Sequence, residues 1–239
     1  MPKRELYILL IYISCLQASA QGSKDSASPD SVKIIQIYYQ SLGEQSPLYN
    51  GSEYIEYAYT IQEGHPFFGS PGFVNGTIHF DGMTFDNVPM FYDIVKDEVV
   101  ILDHHNYYKI NLPADKIRQF EMNGHTFIRL LRDSSNEINT GFYELLYNGK
   151  ISLFAKREKK ILQQYSNMQI NNVVFSQNMY YIRKQNAFYP VKNKSSLLNI
   201  LKDKSKQVQQ YLKKNKIKFK HDPEKATIMG VQYYDQLTM

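Results

Sequence analysis

Three dipeptides set the fold class of this chain: Asp81-Gly82, Asn123-Gly124 and Asn148-Gly149. Each sits between stretches where apolar and polar residues alternate. Such dipeptides accept positive φ at both central positions of a two-residue type I′ turn, whose twist matches that of two paired antiparallel strands. Around the first, Ile78 and Phe80 alternate with Thr77 and His79, and Met83 and Phe85 continue on the return strand. Counting outward from the second pairs Met122 with His125, Glu121 with Thr126 and Phe120 with Phe127. The third, on the same count, sets Leu146 against Ile151 and Tyr143 against Phe154. A fourth hairpin, "YYIRK" to "FYPV", turns at Gln185-Asn186. Pro190 lacks a donor for the ladder, which places that strand at an edge.

Between the first two hairpins, Asp86-Asn87 interrupts the alternation. Met90, Tyr92 and Ile94 resume it, Lys96-Asp97 turns, and Val99 to Leu102 returns. Asp81, Asp86 and Asp97 therefore have turn roles, and Asp93, in mid-strand, is expected to face outward. "YNGSEYIEYAYT" from Tyr49 and "YYKINL" from Tyr107 predict two further strands. Residues 32–191 thus read as an antiparallel β meander, in the form of a curved sheet, a sandwich or a half-barrel.

After residue 192 the period changes. Leu197, Leu198, Leu201, Val208, Tyr211 and Leu212 follow a helical stripe, with a break at Asp203 and a stop at Asn215. Asp222-Pro223-Glu224 starts another helix: a capping Asp, Pro at the first helical position, then an acid. That helix is expected to run to Leu237 and bury Ala226, Met229, Tyr233 and Leu237. The fold class is therefore α+β, with the meander followed by a pair or trio of helices packed on the sheet over 192–239.

The N-terminus reads as a targeting signal. Lys3 and Arg4 precede the apolar run "LYILLIYISCL", and Ala18 and Ala20 fit a cleavage site after Ala20. The run is too short to span a membrane. Cys15 lies within it, and Tyr12 stands where a lipidation signal has an aliphatic residue, so lipidation at Cys15 is the lesser alternative. Residues 21–31, small and polar, read as a disordered leader. With its single cysteine inside the signal, the mature chain offers no disulfide, thiolate nucleophile or thiolate metal site. No later apolar run is long enough for a transmembrane helix.

Charge divides the chain. Residues 21–150 carry 9 Lys+Arg against 17 Asp+Glu, a net of −8, and residues 151–239 carry 17 against 5, a net of +12. Between Lys192 and Lys220 stand ten lysines and one acid, Asp203. Such asymmetry points either to an anionic partner or to docking of the basic end on the chain's own acidic part.

Chemistry-bearing motifs are few. The sequence has no phosphate-binding Gly-rich loop, no H-E-x-x-H and no G-x-S-x-G. "DHH", Asp103 to His105, reads as a polar loop, because neighbouring strand histidines point to opposite faces. "GHPFFGSPG" from Gly64 offers His65, Phe67 and Phe68 as a binding loop, or as a connection whose aromatics join the core. Glu53, Glu56, Glu121 and Glu144 show no spacing that makes a catalytic pair. Asn50, Asn75 and Asn193 head glycosylation triplets, relevant only in a eukaryotic host.

The segments "YNGSEY", "GHPFF", "FYDIVKDEVVIL" and "GFYELLYNGK", with the basic helical end, resemble secreted proteins of diderm bacteria. The resemblance implies export alone and carries no activity or site residue. The expectation is a non-catalytic envelope protein, periplasmic, outer-membrane-associated or secreted, that binds an envelope protein or an anionic surface. Lys213, Lys214, Lys216 and Lys218 are its candidate contacts. A carrier of an apolar ligand and a hydrolase of envelope polymers are the alternatives. No cofactor, metal or nucleic-acid partner is implied.

Overall fold

A computed structural model describes residues 41–132, 137–166 and 169–238, with Ile34 and Tyr38. The expected signal peptide and leader lie outside the described residues. The chain forms one eleven-stranded antiparallel sheet, followed by three helices. The strands are β1 (Ser52–Glu53), β2 (Val74–Phe80), β3 (Met83–Asp93), β4 (Glu98–Leu102), β5 (Lys109–Asn111), β6 (Ile117–Met122), β7 (His125–Leu130), β8 (Gly141–Asn148), β9 (Ser152–Ser166), β10 (Gln169–Lys184) and β11 (Ala187–Val191). The helices are α1 (Lys194–Ile200), α2 (Ser205–Lys214) and α3 (Pro223–Thr238).

The sheet order is β1-β5-β4-β3-β2-β6-β7-β8-β9-β10-β11. Two meanders, β2 to β5 and β6 to β11, join where β6 pairs with β2. The sheet stays open but curls, so that the β3–β4 turn reaches β8: Asp97 accepts from the Phe142 backbone at 3.4 Å and from Lys156 Nζ at 2.8 Å. Phe80, Phe120, Phe127 and Phe142 fill the inside of the curl, each at most 1% exposed. A second core lies between sheet and helices, where Leu153, Ala155, Ile182 and Val191 meet Leu197, Leu201, Val208, Leu212 and Val231.

Local chemistry places three hairpins as expected. Asp81 and Gly82 have φ of 50° and 79°, Asn123 and Gly124 51° and 75°, and Gln185 and Asn186 52° and 63°. The predicted pairs Met122–His125, Glu121–Thr126 and Phe120–Phe127 are present. Pro190 lies in the edge strand β11. Asp86-Asn87 bends the strand without ending it: Asn87 has φ of 57°, the register shifts opposite Gly76–Ile78, and β3 continues to Asp93.

The Asn148-Gly149 turn departs from its expected geometry. The pairs are Leu145–Phe154, Tyr147–Leu153 and Asn148–Ser152, with a register shift that leaves Leu146 unpaired. Neither Asn148 nor Gly149 adopts positive φ. The cause is tertiary. Asp235 of α3, with no exposed surface, accepts from the Lys150 backbone at 2.8 Å and from the Tyr147 hydroxyl at 3.1 Å, and so holds a longer loop around its carboxylate.

Asp93 points to the outer face of β3, as expected, but is buried there. Its carboxylate accepts from the Tyr54 hydroxyl at 2.8 Å, from the Tyr57 hydroxyl at 2.9 Å, and from the Val95 and Lys96 backbones at 2.9 and 3.1 Å. The segment read as a strand from Tyr49 supplies only Ser52–Glu53 to the sheet. Beyond it, Tyr54 and Tyr57 cover the outer face of β3 and β4, where Tyr54, Phe67 and Phe73 pack on Phe91 and Val100. Instead of extending the strand, Tyr54 and Tyr57 serve as a lid hydrogen-bonded to one buried carboxylate.

The helical region forms where predicted. Asn193 caps α1 by accepting from the Ser196 backbone at 2.9 Å, and Asp222 caps α3 by accepting from that of Lys225 at 2.9 Å. The buried face of α3 is rotated from expectation. Ala226, Thr227, Gly230, Val231, Tyr234 and Asp235 are buried, whereas Met229, Tyr233 and Leu237 are half-buried. Tyr234 and Asp235 turn inward because the sheet offers them Lys184, Tyr147 and the Lys150 backbone. Tyr233 stacks on Tyr211 with centroids 4.1 Å apart.

Candidate functional site

The basic end builds a groove from a helix terminus upward. At the end of α2, the Lys216 backbone donates to Lys213 at 3.0 Å and that of Ile217 to Leu212 at 2.9 Å. This pair of bonds is the Schellman arrangement, with Asn215 as the cap. It requires the next residue in the left-handed region, where glycine is favoured, yet that residue is Lys216, at φ 56°. Holding a lysine there costs about 1 kcal/mol. From Lys216 the chain alternates: Ile217 and Phe219 are half-buried, while Lys216, Lys218 and Lys220 are exposed.

The resulting groove encloses about 1170 Å³. Leu212, Ile217, Phe219 and Pro223 give it an apolar floor. Lys213, Lys216, Lys218 and Lys220 line it from one direction, and Lys192 and Lys194, at the β11–α1 junction, from another. A smaller cavity of about 400 Å³ adjoins it along β10 and β11, lined by Met179, Tyr181 and Val191. Lys192, Phe219 and Pro223 line both.

Among the described residues no carboxylate lines the groove, and none of its six lysines forms an ion pair. The acids of the helical region are engaged elsewhere. Asp203 pairs with Lys184 at 3.5 Å and accepts from Tyr234, Asp222 caps α3, Asp235 holds the β8–β9 loop, and Glu224 meets Arg157 at 2.5 Å. The docking charges therefore run opposite to one expectation. The helices give acids to cationic sheet residues, and among the described residues no lysine of the groove pairs with an acid of residues 21–150.

Beneath α3, Arg157 bridges two carboxylates. It meets Glu144, 3% exposed, at 2.5 Å, and donates to Glu224 at 2.5 and 3.1 Å. His125 contacts Glu144 at 2.5 Å and the Tyr180 hydroxyl donates to Glu224 at 3.0 Å. Burial alone would raise the Glu224 carboxyl, but the hydrogen bonds and charge of Arg157, with Tyr180, outweigh it and hold it below 4.5. Both carboxylates are locked to a guanidinium, so the arrangement fastens α3 to β8 and β9.

The remaining candidates are placed as follows. Lys214 is exposed but outside the groove lining, whereas Lys213, Lys216 and Lys218 are in it. His65, Phe67 and Phe68 belong to a loop fixed on β3, where Phe67 bridges to Asp93 and the Phe68 backbone donates to Tyr92 at 2.9 Å. Phe67 packs 4.8 Å from Phe91 and Phe68 4.8 Å from Phe127, as core aromatics. Lys159 Nζ donates to the His65 and Phe67 carbonyls at 2.9 and 2.6 Å. Burial and the Lys159 charge hold His65 below its ordinary pKa. Asp103 accepts from the Tyr107 and Tyr108 backbones at 2.5 and 2.8 Å, and His105 pairs with Glu44, so "DHH" closes a loop. Among the described residues no three His, Cys, Asp or Glu side chains are grouped to hold a metal ion.

Lys192, Lys194 and Lys220 also line the groove, though their sequence positions did not single them out. Their sequence signal was the ten-lysine run itself; that its two ends converge on one groove is a tertiary fact. No protein-family model, curated protein or solved structure matches the chain.

Proposed function

We propose that this protein is an exported, non-catalytic envelope protein that binds an anionic surface through the lysine-lined groove. The observation that carries the reading is a set of six lysines around an apolar floor, none paired with a carboxylate among the described residues. Lys216 adds to it. A lysine kept where glycine would relieve backbone strain is a local cost, and costs of this kind gather at functional positions. Export rests on the sequence of residues 1–20. Among the described residues no helix is long and apolar enough to cross a membrane.

Attraction of this kind is long-range and screened by salt, with a Debye length of about 8 Å at physiological ionic strength. Each lysine near an anionic bilayer contributes about 1 kcal/mol. Binding is therefore expected to vesicles containing phosphatidylglycerol, to be weak on pure phosphatidylcholine, and to fall steeply with added salt. Changing Lys213, Lys216, Lys218 and Lys220 together to Glu is expected to abolish it without altering the melting temperature by more than a few degrees. Salt-indifferent binding, or equal binding by the variant, would overturn the reading.

Lys216→Gly separates stability from binding. It is expected to stabilise the fold by about 1 kcal/mol, by relieving the left-handed strain, and to weaken vesicle binding severalfold. A lower melting temperature would mean that Lys216 has a packing role instead.

A further inference from the structure

We infer that the groove takes a single anionic amphiphile, its headgroup on the lysine rim and its alkyl chain along the floor toward the cavity under β10–β11. The inference rests on the anionic-surface reading and names the ligand that the site would draw from such a surface. A site for charge alone needs lysines on a solvated face. Here they surround Leu212, Ile217, Phe219 and Pro223, and Phe219 and Pro223 also line the adjoining 400 Å³ space with Met179, Tyr181 and Val191.

Cavities that hold small ligands measure about 300 to 1,000 Å³ and are mostly apolar with a few polar groups that fix orientation. The smaller space lies in that range, and the cations stand at the wider groove. Cations and apolar side chains thus share one site: six lysines rim the open groove, and Phe219, Pro223, Met179 and Val191 continue its apolar lining into the smaller space, beside Lys192, Gln177 and Asn178. This is the complement of a molecule with an anionic head and a flexible hydrocarbon tail. An inorganic anion leaves the floor unused, and a neutral apolar molecule leaves the lysines without counter-charge.

The test uses the protein from residue 21 onward and a series of alkyl phosphates with eight, ten and twelve carbons, each below its micelle concentration, followed by calorimetry. Affinity is expected to rise roughly fourfold per added methylene while the chain still gains floor contact, and to drop at least tenfold when Lys213, Lys216, Lys218 and Lys220 are changed to Glu. Phe219→Ser is expected to flatten the chain-length dependence while vesicle binding persists. Inorganic phosphate and dodecyl maltoside are the charge-only and apolar-only controls. Affinity independent of chain length, or equal binding of either control, overturns the inference. If vesicles bind with the expected salt dependence but monomeric alkyl phosphate does not, the amphiphile site fails and the surface reading stands. If neither binds, both fail. The chain-length series requires no variant, so it decides the matter even if Phe219→Ser lowers stability.

Discussion

Gly149→Ala is expected to lower the melting temperature by about 10 °C, and Gly149→Val by at least as much. A Cβ at this position would stand 2.0 Å from the Asp235 carboxylate and 2.6 Å from the Tyr147 hydroxyl. Asp235 is fully buried and holds the loop through the Lys150 backbone and Tyr147. Displacing it breaks two hydrogen bonds to a buried carboxyl group, each loss costing about 1–3 kcal/mol. In a chain of this size each kcal/mol shifts the midpoint by about 2–4 °C. The alanine variant identifies the mechanism. Because Gly149 lies outside the left-handed region, Ala there would raise stability by about 0.4–1 kcal/mol if space allowed. An unchanged or raised melting temperature for Gly149→Ala would refute the packing account. Combining Gly149→Ala with Asp235→Ala should cost less than the two single effects together, since both act on one contact.

Arg157→Met is expected to cost about 3–5 kcal/mol in chemical denaturation, because it leaves Glu144 buried without its guanidinium. Replacing both partners, Glu144→Leu with Arg157→Met, is expected to recover most of that loss, since a buried pair exchanged for apolar groups of similar size is often neutral. The same variant tests the pH response. Glu224 is held below 4.5 in the folded chain and regains its ordinary value on unfolding. Its contribution is therefore fully present above pH 4.5 and is lost as the pH falls through the depressed folded value. Arg157→Met removes the main cause of that depression and leaves burial to raise the carboxyl. Stability of the variant should then fall less than that of the native chain as the pH drops below 4.5. An identical acid dependence would mean that Arg157 does not set the Glu224 carboxyl.

Whatever a few neighbouring residues decide could be read from the sequence. Asp81-Gly82 and Asn123-Gly124 accept positive φ by their own chemistry, so those turns, and the Phe120–Phe127 pair counted from one of them, follow locally. Asp222 caps its helix through a backbone group three residues away, and the stripe from Leu197 to Leu212 needs only helical period. The antiparallel sheet followed by helices is the sum of such local choices.

Where a distant group competes, the local rule gave way. Asn148-Gly149 has the composition of a type I′ turn, but Asp235, 85 residues beyond Lys150, supplies a buried acceptor that a wider loop satisfies better. Asp93 occupies a mid-strand position whose burial depends on Tyr54 and Tyr57 folding back as a cover. The ten lysines of the basic end are plain in the sequence. Their convergence from the β11–α1 junction and the α2–α3 connection onto one apolar floor is not, because it depends on how the helices pack against β11 and each other. Sequence alone determined the Asp81-Gly82 and Asn123-Gly124 turns, the α3 cap and the helical period, whose energies are settled within a few residues. Tertiary structure decided which polar groups are buried and which cations share a groove, because desolvation and charge proximity depend on the distance between atoms in space and not on their separation along the chain.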